Sequence, residues 1–170
     1  QKPSDLRGGD PTSRLRGVVR YQSHTIFSAN IMDQITHKEG AHFVQNDEYS
    51  CGMAACNSIL VMHGLPADAT IQTMPREAAP SGGSAPMQLK NALAKRGVAS
   101  RTMRVPFNKL MMNPRAVAYY PGHYVTIMRA DNDSVDVNDS CLKTAVRYTK
   151  ENFLKLWALK GTDEGWVIFT

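Results

Sequence analysis

The 170-residue chain has no apolar run long enough to cross a bilayer and no secretory signal pattern, so no membrane partner is called for. Cysteine is scarce. Cys51, Cys56 and Cys141 are the only three, an odd count that makes no disulfide framework and suits a reducing compartment. The usual metal signatures are missing as well. No CxxC pair occurs, Cys51 and Cys56 stand five apart on what reads as one helix, and the five histidines (His24, His37, His42, His63, His123) show no HExxH or paired spacing. Neither zinc nor any other cofactor is expected. Charge of one sign is not concentrated either. The net charge is +5, and the densest basic run, Lys143 to Lys160, is interleaved with apolar residues as on a solvated helix face. A phosphate-tracking surface would be denser, so nucleic acid is not expected as a partner. There is no internal repeat, and no initiator methionine precedes Gln1, which fits a processed or excised piece of a longer protein.

What is present is enough for one domain with a real core: the hydrophobic content is 42%, ordinary for a folded soluble chain of this length. Residues 1–13 (QKPSDLRGGDPTS) have almost nothing apolar to bury and read as a flexible linker or tail, leaving 14–170 as the domain. Val18, Val19 and Tyr21 suit a short strand and Ile26 to Ile35 a short helix. Met53 to Met62 reads as a helix with Ala55, Ile59 and Met62 on one face, ended by Gly64 and Pro66. Ala67 to Ala79 follows as a second helical piece. After the Ser81–Ser84 loop, Ser84 is placed to cap a helix that starts near Pro86 and ends at Gly97.

Beyond Gly97 the pattern turns to strands. Ala99 to Val105, Ala116 to Tyr120, His123 to Met128 and Ser134 to Val137 alternate, with Pro121-Gly122 and Asp131–Asp133 as turns. Thr149 caps a last helix, Lys150 to Leu159, and Gly165 to Thr170 is an edge or closing strand. A helical first half followed by an antiparallel second half is an α+β organisation.

The chemistry centres on VQNDEYSCGMAAC, Val44 to Cys56. Cys51 opens a helix, where unpaired N–H groups and the macrodipole favour negative charge. Gln45, six residues upstream, is close enough for its amide to fold back beside the sulfur. A lone cysteine is as often inert packing as a nucleophile, so the case needs a base and an orienter. His123 heads one strand and Asp139 ends the next, which puts both at the same end of a hairpin pair. Cys56 and Cys141 have no base in reach by sequence and read as structural.

These blocks resemble the papain-like peptidases that process bacteriocins, family thirty-nine of the cysteine peptidases, which also occur as N-terminal domains of peptide-exporting ABC transporters. Gln45, Asp47, Glu48, Cys51, Gly52 and Ala54-Ala55 stand in the places of its Gln–Cys block. Ala116 to Ile127 resembles its His block. Asp139-Ser140 stands where its acidic block is normally Asp-Pro. The resemblance, over Phe43 to Trp157, implies a papain-like fold with its helical half packed on an antiparallel sheet. It also implies a catalytic triad of Cys51, His123 and Asp139, with Gln45 and the Cys51 N–H as oxyanion hole and a peptide or protein substrate.

Three functions fit these residues: a peptidase, a glutamine deamidase or transglutaminase-like enzyme on the same fold, and a non-catalytic peptide-binding domain. The expected setting is the catalytic domain of a bacterial secreted effector or toxin. It would work in the reducing cytosol of the producer or target cell, delivered by a secretion system. A cognate immunity protein or the parent polypeptide would be its partner.

Overall fold

The computed structural model describes residues 33–35, 42–45, 50–68, 70–71 and 84–170. Its centre is a seven-stranded sheet made of β1 (Asp33–Ile35), β2 (Arg101–Pro106), β3 (Ala116–Tyr120), β4 (His123–Ala130), β5 (Ser134–Asn138), β6 (Ala145–Thr149) and β7 (Glu164–Phe169). Their order across the sheet is β1-β6-β5-β4-β3-β7-β2, and every neighbouring pair is antiparallel. Period-two alternation sorts the side chains onto two faces. Ala116, Ala118, Tyr120, Val125 and Ile127 join one core, whereas Val117, Tyr124 and Ile168 join the other.

Each face is covered by two helices. Helix α1 (Cys51–Met62) and helix α2 (Pro86–Ala94) bring Ile59, Leu60, Leu89 and Leu93 onto the second core. Helix α3 (Phe107–Met112) and helix α4 (Lys150–Trp157) bring Phe107, Leu110, Phe153 and Trp157 onto the first. Helix α1 is buried over all of Cys51–Leu60, more than the single face its spacing suggests. Its small residues, among them Gly52, Ala54, Ala55 and Ser58, allow close packing between the sheet and α2.

Several expectations are corrected by this arrangement. The helix proposed over Ile26–Ile35 is a strand at Asp33–Ile35, paired to β6; its earlier residues lie outside the described ones. Ser84 is not the cap of α2. That position is Ala85, whose N–H donates to Gln88 Oε1 at 2.8 Å, with Pro86 in the first turn. The basic run from Lys143 is β6 before it becomes α4, because Val146 and Tyr148 alternate into the core. β7 is no edge strand: it lies between β3 and β2. The tail over 1–13, the strand near Val18, Asp47, Glu48, and the later residues of the Ala67–Ala79 helix fall outside the described residues.

Thr149 does cap α4, its Oγ1 accepting from the Asn152 N–H at 3.1 Å. Thr149→Ala is expected to cost about 1 kcal/mol, read as a lower urea midpoint with unchanged m-value.

Candidate active site

Cys51 is the first residue of α1 and 8% exposed. Gly52 behind it has a steric reason. A Cβ there would stand 2.7 Å from Leu89 Cδ2, so glycine lets α2 close against the first turn of the cysteine helix. Tyr124, the neighbour of His123 on β4, lies against the same turn, since that Cβ would also stand 3.4 Å from its Cδ2. Its hydroxyl donates to the Ser84 carbonyl at 3.0 Å, tying the sheet to the segment before α2.

The turn Pro121-Gly122 reverses β3 into β4, with Gly122 at φ 78°, a conformation that favours glycine. The strand that leaves it starts at His123. On its other side β5 runs antiparallel with Thr126 opposite Asn138, so the end of β5 meets the start of β4. There His123 Nε2 lies 2.7 Å from Asp139 Oδ1, with both side chains almost wholly out of water. The same carboxylate oxygen accepts the Cys141 N–H at 2.9 Å. Burial works against a charged imidazole. The Asp139 carboxylate, with Cys141 beside it, outweighs that and holds the His123 pKa well above its usual value.

This balance sets a direction for stability against pH. Stability from a raised imidazole pKa is fully present below the unfolded value of about 6.5 and is lost as pH rises through the folded value. Without the carboxylate, burial dominates and pushes the pKa down, so stability is instead lost as pH falls through about 6.5. Thermal unfolding across about pH 5 to 9 is therefore expected to slope oppositely in the wild type and in Asp139→Asn.

Gln45 reaches the site from a segment pinned to the loop after β5. Its backbone N–H donates to the Ser140 carbonyl at 3.0 Å, and His42 Nε2 donates to the Leu142 carbonyl at 2.6 Å. The Gln45 side-chain oxygen accepts from Ser140 Oγ at 2.7 Å and from Cys141 Sγ at 3.3 Å.

The structure thus joins His123 directly to Asp139 and Gln45 to the two residues after Asp139. It sets Cys51 at the start of the neighbouring helix, in the same core as Tyr124. It corrects the reading of Cys141 as remote from any base, since its sulfur and the polar atoms of His123 and Asp139 lie within 4.8 Å of one another. Its position two residues past Asp139, in a turn closed by the Leu142 N–H on the Asp139 carbonyl, is the signal that could have found it. Cys56 remains a packing residue, its thiol 3.9 Å from the Leu89 carbonyl. Burial pushes the Cys56 thiol up to about 12 and the Cys141 thiol up to about 11.

His123, Asp139 and Cys141 are the one metal-competent group among the described residues, yet the 2.7 Å bond already engages a donor atom of His123 and of Asp139 with each other. A buried carboxylate holding an imidazole beside a thiol is an arrangement suited to moving a proton on and off sulfur.

Two of the solved structures that share the fold are informative. One is a double-glycine-motif protease from an AMS/PCAT transporter in complex with the leader peptide: 16% identity, TM-score 0.60, covering 75% of this chain and 89% of that one. The other is the peptidase domain of Streptococcus ComA, a bifunctional ABC transporter involved in a quorum-sensing pathway: 20% identity, TM-score 0.57, covering 75% and 94%. No curated protein matches the chain. Residues 39–161 match the Peptidase C39 family, most of the chain and every element of the site just described, so the chain belongs to that family and is a cysteine peptidase.

Proposed function

We propose that Cys51, His123 and Asp139 are the triad of this peptidase, that Gln45 and the Cys51 N–H are its oxyanion hole, and that it hydrolyses a peptide bond. The observation that carries this reading is the buried 2.7 Å contact of His123 Nε2 with Asp139 Oδ1, with Gln45 held by the next residue, Ser140. Because Nε2 engages the carboxylate, Nδ1 is the nitrogen that exchanges the reacting proton. The Cys51 thiol gives its proton to His123 and its sulfur adds to the scissile carbonyl. The oxyanion that forms is met by the Gln45 amide and the Cys51 N–H at the helix start. Collapse expels the amine, which takes the proton from the imidazolium and leaves a thioester. Water, deprotonated by His123, then releases the acid and regenerates the thiol. Asp139 keeps the ring oriented and stabilises its charged form throughout.

On this reading the partner is a peptide or protein, as the leader-peptide complex of the transporter protease suggests by analogy. The catalytic domain spans 14–170 behind the polar tail 1–13. The setting proposed for it is a secreted bacterial effector or toxin masked by an immunity protein or its parent chain.

The test is a bacterial lysate incubated with the wild type and with Cys51→Ala, then mapped by mass spectrometry. New N-termini that depend on Cys51 support the peptidase and reveal its cleavage site. Gln-to-Glu conversion without cleavage would replace it with a deamidase. Finding neither change would leave a narrower substrate or a masked site, and peptide binding would regain ground.

A further inference from the structure

The oxyanion-hole reading of Gln45 leaves one question of geometry: a carboxamide has a donor end and an acceptor end, and only the donor end stabilises an oxyanion. Rotation by half a turn exchanges the two at almost no cost in shape, so neighbours must decide. Two do. Ser140 Oγ lies 2.7 Å and Cys141 Sγ 3.3 Å from the same terminal atom of Gln45. A hydroxyl serves either way, but a thiol is a weak donor and a poorer acceptor, so the atom that meets both is the carbonyl oxygen. Burial outweighs the neighbouring His123 and keeps the Cys141 thiol protonated, pushed up to about 11. The backbone adds a third tie, since the Gln45 N–H donates to the Ser140 carbonyl at 3.0 Å. Asp139, Ser140 and Cys141 are consecutive, so one short turn sets both the imidazole and the carboxamide.

We infer that Ser140 and Cys141 are positioning residues that fix the Gln45 carboxamide with its oxygen turned into the loop and its N–H₂ end turned toward the carbonyl oxygen of the bond attacked by Cys51. The inference rests on the proposed role of Gln45, and its test separates the two.

Ser140→Ala is expected to lower kcat by roughly tenfold to a hundredfold on a peptide identified by N-terminal mapping, with KM unchanged, because the donor is needed only as charge develops on oxygen. Alkylation of Cys51 by iodoacetamide uses the sulfur but no oxyanion, so its rate is expected to stay at the wild-type level. Ser140→Thr, which keeps the hydroxyl, should restore kcat. In a Gln45→Ala background, Ser140→Ala should cost nothing further. Should Ser140→Ala not fold, Ser140→Thr against Ser140→Val makes the same comparison at matched shape. Three results would overturn the inference: unchanged kcat, a loss that persists in full without Gln45, or alkylation slowed in step with hydrolysis, which would place the effect on Asp139. If Gln45→Ala itself leaves kcat intact, the oxyanion role of Gln45 falls, and the inference with it, while the triad stands.

Discussion

Cys51→Ala is expected to abolish peptide hydrolysis, a loss of roughly a thousandfold or more in kcat with the fold intact. The size follows from the proposed mechanism. Covalent catalysis divides one difficult displacement into two easier steps, and without the sulfur neither step exists. The fold should survive because the site lies at the start of α1, where an alanine fills slightly less space than a cysteine that is already 8% exposed. The other two thiols provide the contrast. Cys56 is wholly buried between α1 and α2, and Cys56→Ala should lower stability by a cavity of one sulfur while leaving kcat near wild type. Cys141→Ala removes one of the two donors on Gln45, so it should weaken turnover without abolishing it. Peptide cleavage with purified variants, together with their thermal melts, checks all three.

His123→Ala is expected to match that loss in hydrolysis and to slow the alkylation of Cys51 as well. A residue that only packed would affect stability alone. On the proposed mechanism His123 is instead the proton carrier for both steps, and Asp139 biases it toward the charged form against the pull of burial. Removing the ring also takes the imidazole at 2.7 Å from the Asp139 carboxylate, which is 0% exposed and keeps the Cys141 N–H. An uncompensated buried charge is costly, so His123→Ala should also lower the melting temperature. His123→Gln, which can still donate to Asp139, should recover much of the stability and none of the hydrolysis. Turnover, the alkylation rate at several pH values and the melting temperature together separate the chemical role from the structural one.

Local patterns made much of this legible. The hairpin at Pro121-Gly122, the alternation of β3, β4 and β5, and the cysteine helix ended before Gly64 all follow from short-range rules, and together they bring His123 and Asp139 to one end of the sheet. Order across the sheet was not legible that way. β7 sits between β3 and β2, and β1 pairs with β6, because long-range pairing leaves no trace in local periodicity. Helix α3 was hidden for another reason: six residues after Pro106 carry too few turns to show a period. The all-round burial of α1 depends on a second helix that its own spacing cannot announce.

In the site, the Asp139–Ser140 pair read only as a departure from Asp-Pro. The bond from the Ser140 hydroxyl to Gln45 spans 95 residues and is visible only once the loop after β5 and the segment from His42 to Gln45 lie together. Cys141 was misread for the same reason. Its nearness to His123 is set by the turn after β5, not by its distance along the chain from any base.

Because Cys141 shares the neighbourhood of His123, the choice of nucleophile is the central claim to test. The direct measurement is limited alkylation: treat the protein with less than one equivalent of iodoacetamide at neutral pH, map the label by mass spectrometry, and follow residual peptidase activity. The account predicts label on Cys51, with activity falling in proportion, and Cys56 and Cys141 spared because burial holds their thiols up at about 12 and about 11. Label on Cys141 that tracks the loss of activity, or equal labelling of all three cysteines, would contradict it.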